Sequence, residues 1–404
     1  MRRLWIAAGI FFAWFTAFSQ KTDSVFTNKK ISKTDVQVLF SYYTQNGNNS
    51  AVTGGTGTEK LKVYAPNFNI KHSFDSLNTI NLNLGVDVIS SASTDNIDFR
   101  VSSASRLDGR GYSNLAYYRE LPKSGFTDGG NVGLSIESDY FSNSIGLLLK
   151  HSNKDKSREI SVDLQANFDD LRWGRVTSGL YRPEKLIYPK ELRYREWYDT
   201  YKRNSYNFNF GIYQIINQRN TIAFYSGLTY QKGLLATPFH RVYFNDDITL
   251  RVENLPDERI KIPLGIQLNS FIGRGWILRS YYRYYYDTYK ISAHTLDFES
   301  PVKLNAAFTT TPFVRLYTQT KSEYFKAFSK HNPADLFYTS DYDLSAFNSI
   351  KLGLGIRYAP YLKSKKGKMF NAIDVRYAYF HRSDGLQAHI LSILFDYGAD
   401  QKRR

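Results

Sequence analysis

Apolar and polar side chains alternate along this chain at a period of two, in stretches of roughly ten residues, the pattern of a strand with one oily and one wet face. The clearest case is 78–89, where Ile80, Leu82, Leu84, Val86 and Val88 share one face and Thr79, Asn81, Asn83, Gly85 and Asp87 the other. Sixteen such stretches can be drawn: 35–43, 60–72, 78–89, 112–121, 131–139, 142–151, 158–169, 205–216, 220–231, 260–271, 276–286, 291–304, 307–319, 348–359, 370–381 and 389–397. Each has about the length of a tilted membrane-spanning strand. Repetition on this scale predicts an all-β fold: a transmembrane antiparallel up-and-down β-barrel of about 16 strands, apolar outside and polar within.

The connections point the same way. The five longest, 44–58, 90–111, 170–204, 233–259 and 321–347, follow strands 1, 3, 7, 9 and 13, all odd. Turns after even strands are short, as at 75–77, 217–219, 273–275 and 305–306. Outer-membrane barrels have this asymmetry, with long loops outside and short turns in the periplasm. The weakest join is 139–142, where two strands read almost as one. Pro301, Pro312 and Pro360 lie near strand ends and Pro263 near a strand start, while Pro66 falls mid-strand and predicts a bulge.

Two faces imply two surroundings. A charge facing the hydrocarbon midplane costs on the order of 2–4 kcal/mol, which assigns the polar set to the lumen. The lumen-lining candidates are Asp87, Glu137, Asp163, Gln267, Arg279, Arg283, Lys351, Arg357, Asp374, Arg376 and Asp396. Trp276, Leu278, Tyr282, Tyr284 and Tyr286, like Ile350, Leu352, Leu354, Ile356 and Tyr358, then face lipid. Sixteen strands leave a lumen wide enough for water unless it is plugged. The mixed sign of its lining argues against strong anion selectivity. It suits either a solute channel or a salt-bridge lattice that stiffens the wall.

Composition adds an address. Arg2 and Arg3, the apolar run 4–18 and small residues at 17–19 form a secretory signal, 1–19, too short for a membrane helix. A periplasmic lead-in, 20–34, the barrel, 35–397, and a polar C-terminal tail, 398–404, complete the expected organisation. The 32 Tyr and 28 Phe suit the aromatic girdles of a barrel. The formal charge of +16 falls to about +14 without Arg2 and Arg3. Export makes nucleic acid an unsuitable counter-charge and lipopolysaccharide phosphates a natural one.

Candidate chemistry is sparse. With no cysteine there are no disulfides, thiolate metal sites or covalent haem attachment. His381-Arg382-Ser383-Asp384-Gly385 with His389 holds the residue types of a hydrolase triad, but Ser-Asp-Gly is also what a tight hairpin needs. The acidic pairs Asp95/Asp98, Asp246/Asp247 and Asp341/Asp343 lack calcium-loop spacing and read as solvated loops. Gly54-Gly55-Thr56-Gly57 lacks the Lys-Ser/Thr of a phosphate-binding loop, and the seven histidines have no metal-ligand spacing. No catalytic residue, cofactor or metal is expected, and no enzymatic activity.

Several loop strings carry a resemblance: YYTQNGNNSAVTGG from Tyr42, SSASTDNID from Ser90, KGLLATPFHRVYFND from Lys232, VENLPDERIKIP from Val252, AHTLDFESPVKL from Ala293, HNPADLFYTSDYDLSAFNS from His331 and RSDGLQAHILS from Arg382. Together they resemble domain of unknown function family 3570, a group of uncharacterised exported Bacteroidetes proteins. The resemblance implies an outer-membrane barrel with no assigned activity and no defined catalytic residues. The neighbourhood of some members' genes to flavin-transfer and electron-transfer components implies a periplasmic redox partner. The expected function is a passive solute conduit or scaffold, working as a monomer in the outer membrane of a Gram-negative bacterium, in contact with its lipid and lipopolysaccharide. The alternatives are a sheath or docking partner for an extracytoplasmic, flavin-linked electron-transfer complex, and a secreted carbohydrate-binding β-protein.

Overall fold

Backbone pairing, rather than an apolar interior, holds this chain together. A computed structural model describes residues 31–91, 107–137, 140–171, 201–237, 240–360, 362–363 and 368–402. In chain order the first nine strands are β1 (Ile31–Asn46), β2 (Leu61–Ser73), β3 (Asn78–Ser91), β4 (Leu107–Leu121), β5 (Phe126–Glu137), β6 (Tyr140–Ser152), β7 (Arg158–Asp170), β8 (Lys202–Ile215) and β9 (Asn220–Gly233). A small hairpin, β10 (Arg241–Tyr243) and β11 (Leu250–Val252), pairs only with itself. The wall resumes with β12 (Glu258–Gly273), β13 (Trp276–Asp287), β14 (Ser292–Glu299), β15 (Val302–Lys303), β16 (Phe308–Gln319) and β17 (Phe347–Tyr358). It ends with β18 (Leu362–Lys363), β19 (Lys368–Arg382) and β20 (Gln387–Lys402).

Two pieces are subsidiary: β15 continues β14 past Pro301, and β18 is a short partner of β19. The remaining sixteen strands pair antiparallel with their neighbours, and β1 pairs with β20 from Ile31↔Lys402 to Asn46↔Gln387. The ring is closed, a single wall rather than two stacked sheets. Closure removes every free edge, so each wall strand has a partner on both sides.

Each of the sixteen alternating stretches coincides with a wall strand. The doubtful join resolves as a hairpin, with Glu137 opposite Tyr140; residues 138 and 139 lie outside the described ones. The barrel also extends beyond the 35–397 expected from side-chain alternation. β1 begins at Ile31, inside the expected lead-in, and β20 runs to Lys402, inside the expected tail. Beyond the hydrocarbon a ladder needs backbone groups but no apolar face, so polar residues continue it. The signal 1–19 lies outside the described residues.

The short turns between β2 and β3, β6 and β7, β8 and β9, and β15 and β16 share one device. Asp75, Asp155, Asn217 and Asn305 each accept the backbone N–H two residues on, at 2.8, 3.2, 2.9 and 2.9 Å. These side chains supply the turn's hydrogen bond locally and fix the register of the next strand.

The prolines are accommodated without the bulge expected at Pro66. Pairing between β2 and β3 skips Ala65 and Pro66, then resumes at Asn67↔Gly85 in the register held at Tyr64↔Val88. Pro263 opens the same kind of gap between β12 and β9, from Lys261↔Thr229 to Leu264↔Ser226. Its ring needs the space left by Gly227, whose added Cβ would lie 2.8 Å from Pro263 Cγ. Inside the barrel, Tyr112 and Phe313 lie over their opposite partners Gly85 and Gly353; a Cβ there would meet the rings at 2.0 and 2.2 Å.

The wall's apolar side chains are its exposed ones: Leu352, Leu354 and Ile356 on β17 are 49, 47 and 50% exposed. A band of this kind matches hydrocarbon, not water. Leu352→Arg, at the middle of β17, is therefore expected to cost about 2–4 kcal/mol of folding free energy. Reversible urea unfolding in lipid vesicles measures this; a loss below about 1 kcal/mol would remove this face from the bilayer midplane.

Candidate functional site

Strand register sets the eleven lumen candidates on the face that alternates with the exposed apolar one. Asp87 lies opposite Arg110, 3.8 Å between charged atoms, and Glu137 stands at the rim end of β5. Asp163 accepts from Asn209 Nδ2 at 3.1 Å. Gln267 accepts from Tyr225 Oη at 3.4 Å and donates to Asn269 Oδ1 at 3.0 Å. Arg283 reaches Thr295 Oγ1 at 3.5 Å. Asp396 accepts from Asn371 Nδ2 at 2.9 Å and lies 3.9 Å from Arg357.

The remaining four converge. Glu299 bridges Arg279 at 2.8 Å and Arg376 at 3.4 Å, and Arg376 also reaches Asp374 at 3.2 Å. Beside them Arg315 clamps Asp297 with two bonds of 2.6 and 2.9 Å. Lys351 holds its ammonium 5.9 Å above the Phe313 ring. All of these but Asp374 line a cavity of about 720 Å³ with four cations, Arg279, Arg315, Lys351 and Arg376, against the carboxylates of Asp297 and Glu299. The bridges pin side chains to the wall, which keeps the cavity open while neutralising part of its charge.

Above this lumen, three of the long connections form a folded layer. The 47–60 loop joins β1 to β2 and the 234–257 loop joins β9 to β12, so six strands separate their roots in either direction round the ring. Their roots are diametrically opposite, across a barrel about 30 Å wide. Yet Arg241 Nη1 donates to Val52 O, and Gly54 packs so closely on Tyr243 that a Cβ would lie 2.4 Å from the ring. Gly54 has φ 85°, a left-handed conformation suited to a residue without a side chain. The loops therefore meet across the mouth.

The 320–346 loop, between β16 and β17, completes the cap. Tyr338 and Asn254 exchange backbone bonds of 2.8 and 3.1 Å, Asn245 N donates to His331 O at 2.8 Å, and Ser340 Oγ donates to Arg241 O at 2.6 Å. Val242, Phe244 and Tyr338 form a buried apolar cluster, with the Phe244 and Tyr338 rings edge to face at 5.0 Å. Arg251 lies 5.0 Å above Phe244. At the rim, Tyr289 donates to Pro256 O at 2.8 Å, Asn49 Nδ2 to Asp384 O at 3.1 Å, and Arg382 bridges Asp343 and Asp384.

Three ionisable groups in the cap loops are strongly perturbed. The hydrogen bond from Lys326 holds Asp335 down at about 2. Burial disfavours the charged form of His240, but the carboxylates of Glu253, 3.5 Å away, Asp341 and Asp343 together outweigh it and push the imidazole up to about 9. Asp341 lies 3.9 Å from the same ring nitrogen, and burial raises its pKa. The pair Asp341/Asp343, read from sequence as a solvated loop, is thus split: Asp341 turns inward to His240 and Asp343 outward to Arg382. Asp246 instead caps its own turn, accepting from Ile248 N at 3.2 Å and Thr249 N at 2.9 Å. Asp95 and Asp98 lie outside the described residues.

Sequence alternation does not reveal the cap. A local signal for it is the apolar triplets Val242-Tyr243-Phe244 and Leu336-Phe337-Tyr338 inside long connections.

Comparison with known proteins gives a family and a set of barrels. No curated protein matches the sequence. Among solved structures, a bacterial polysaccharide outer membrane secretin is similar at TM-score 0.47 and 9% identity, covering 92% of this chain and 99% of that one. The outer membrane protein opdK from Pseudomonas aeruginosa is similar at TM-score 0.41 and 8% identity, over 91% and 99%. A TodX monoaromatic hydrocarbon channel mutant gives 0.41 and 10%, over 93% and 91%. The barrel assignment rests on the register of this chain itself. The family model described as protein of unknown function (DUF3570) matches residues 103–389, and the chain belongs to that family.

Proposed function

We propose that this protein is an outer-membrane conduit for small polar solutes, with passage restricted by the cap across its mouth. The observation that carries this reading is the contact between the 47–60 and 234–257 loops, rooted on opposite sides of the ring. A wall that served only as a scaffold needs no bridge over its opening. The cavity of about 720 Å³ beneath supports the same view, because its charges are braced against the wall rather than filling the lumen. Its four cations against two carboxylates favour anions modestly. The exposed apolar band supports a seat in a bilayer, where the long-loop rim would face lipopolysaccharide. A closed ring presents no strand edge for a second copy to extend, which is in keeping with a monomer.

Planar-bilayer recording tests both parts. Phe244→Ala removes a fully buried ring from the cap core, a change that typically costs about 3–5 kcal/mol. The variant is expected to conduct in larger or longer-lived steps than the wild type, with the barrel intact. Identical, or absent, current steps in both proteins would defeat the restricted-conduit reading. Lys351→Glu turns a lumen cation into an anion and is expected to lower the chloride-to-potassium permeability ratio, read from the reversal potential in a salt gradient. An unchanged reversal potential would remove Lys351 from the solute path.

A further inference from the structure

The cap brings together three side chains that no sequence motif connects. His240 precedes β10, Glu253 follows β11, and Asp341 comes from the 320–346 loop. One ligand atom from each, His240 Nδ1, a Glu253 carboxylate oxygen and an Asp341 carboxylate oxygen, lie within 4.8 Å of one another. Nδ1 stands 3.5 Å from Glu253 Oε1 and 3.9 Å from Asp341 Oδ2. A hydrogen bond would bring such atoms to about 2.7–3.2 Å. Ligands around a tetrahedral ion with bonds of about 2.0–2.2 Å sit about 3.4 Å apart. The two distances from Nδ1 are closer to the second geometry.

A second observation is independent of the cluster's charge. His240 Nδ1 is buried and has no hydrogen-bond partner, a state that polar atoms in folded proteins rarely keep. Both carboxylates are already oriented by other groups. Glu253 Oε2 accepts from Thr237 N at 2.6 Å and Oε1 from Thr339 Oγ1. Asp341 Oδ1 accepts from Asp343 N at 2.9 Å, which leaves Oδ2 turned to the imidazole. Outer bonds of this sort hold metal-ligating carboxylates in place.

The geometry points to a divalent transition-metal site formed by His240, Glu253 and Asp341, of the zinc class. Imidazole nitrogen with two carboxylates in a compact set suits Zn²⁺ or Co²⁺, whereas Ca²⁺ takes six to eight oxygens. Three protein ligands leave a fourth position for water. The ion ties the 234–257 loop to the 320–346 loop, so it acts as a clasp within the cap. The assignment stands whether or not the barrel conducts.

The test uses the full, tag-free chain in detergent after chelator treatment. Co²⁺ is titrated and followed by its visible absorption, then displaced by Zn²⁺, with calorimetry giving stoichiometry. One equivalent per chain is expected, with the intense bands of a tetrahedral Co²⁺ centre and no displacement by Ca²⁺ at the same concentration. His240→Ala and Asp341→Asn are expected to weaken Zn²⁺ binding by at least about 100-fold. Each variant's barrel is verified by its heat-dependent mobility on a gel. Glu253→Gln, which keeps the shape of the side chain, replaces any variant that fails to fold. Absence of saturable binding in the wild type would overturn the proposal, as would one-equivalent binding that survives in the folded variants.

Discussion

In hydrocarbon, a backbone N–H or C=O without a partner has no water to turn to, and each such group costs several kcal/mol. The β1–β20 ladder covers the last two edges of the wall, and the rest of the molecule follows from it. An even ring of antiparallel strands puts both chain ends at one rim and the long connections at the other. The two-residue period then fixes which side chains meet lipid, because a slip by one residue would turn every charge outward. The gaps at Pro66 and Pro263 fit this constraint: the ladder loses bonds there and keeps its register.

The hydrophobic effect works in two separate places. Along the wall it acts between side chains and lipid, and Leu352 or Ile356 remains exposed because the bilayer is its partner. In the cap it acts as in a soluble protein, where Val242 and Phe244 are fully excluded from solvent. The cap is therefore a small folded body stationed on a membrane wall. Its polar contacts concentrate at the junctions between loops, at Arg241, Tyr338 and Ser340, where they set how the pieces fit.

The wall was legible in the sequence because its signal is local. Alternation at 78–89 or 348–359 names the strand, its faces and the inward charges without reference to any other part of the chain. Side-chain alternation loses the strand ends once the ladder leaves the apolar zone, which is why 31–34 and 398–402 read as lead-in and tail. The cap was not legible for a different reason. Val52 and Arg241 are 189 residues apart, and their contact is created by ring closure rather than by either segment. His240, Glu253 and Asp341 likewise fall at no motif spacing, so each reads alone as an ordinary loop residue. The Asp341/Asp343 pair shows the same limit: adjacency in sequence suggested one solvated cluster, and the fold sends the two carboxylates to different partners.

The opposite roots of the 47–60 and 234–257 loops couple the cap to the completeness of the wall. The Phe244–Tyr338 nucleus draws on connections a few strands apart and can consolidate while the sheet is still curling. Zipping of the N-terminal strand to the C-terminal one then sets the distance between the opposite roots and holds Val52 against Arg241. Seating of that first loop is thus stabilised by the joined ring, and a half-assembled sheet holds it less firmly.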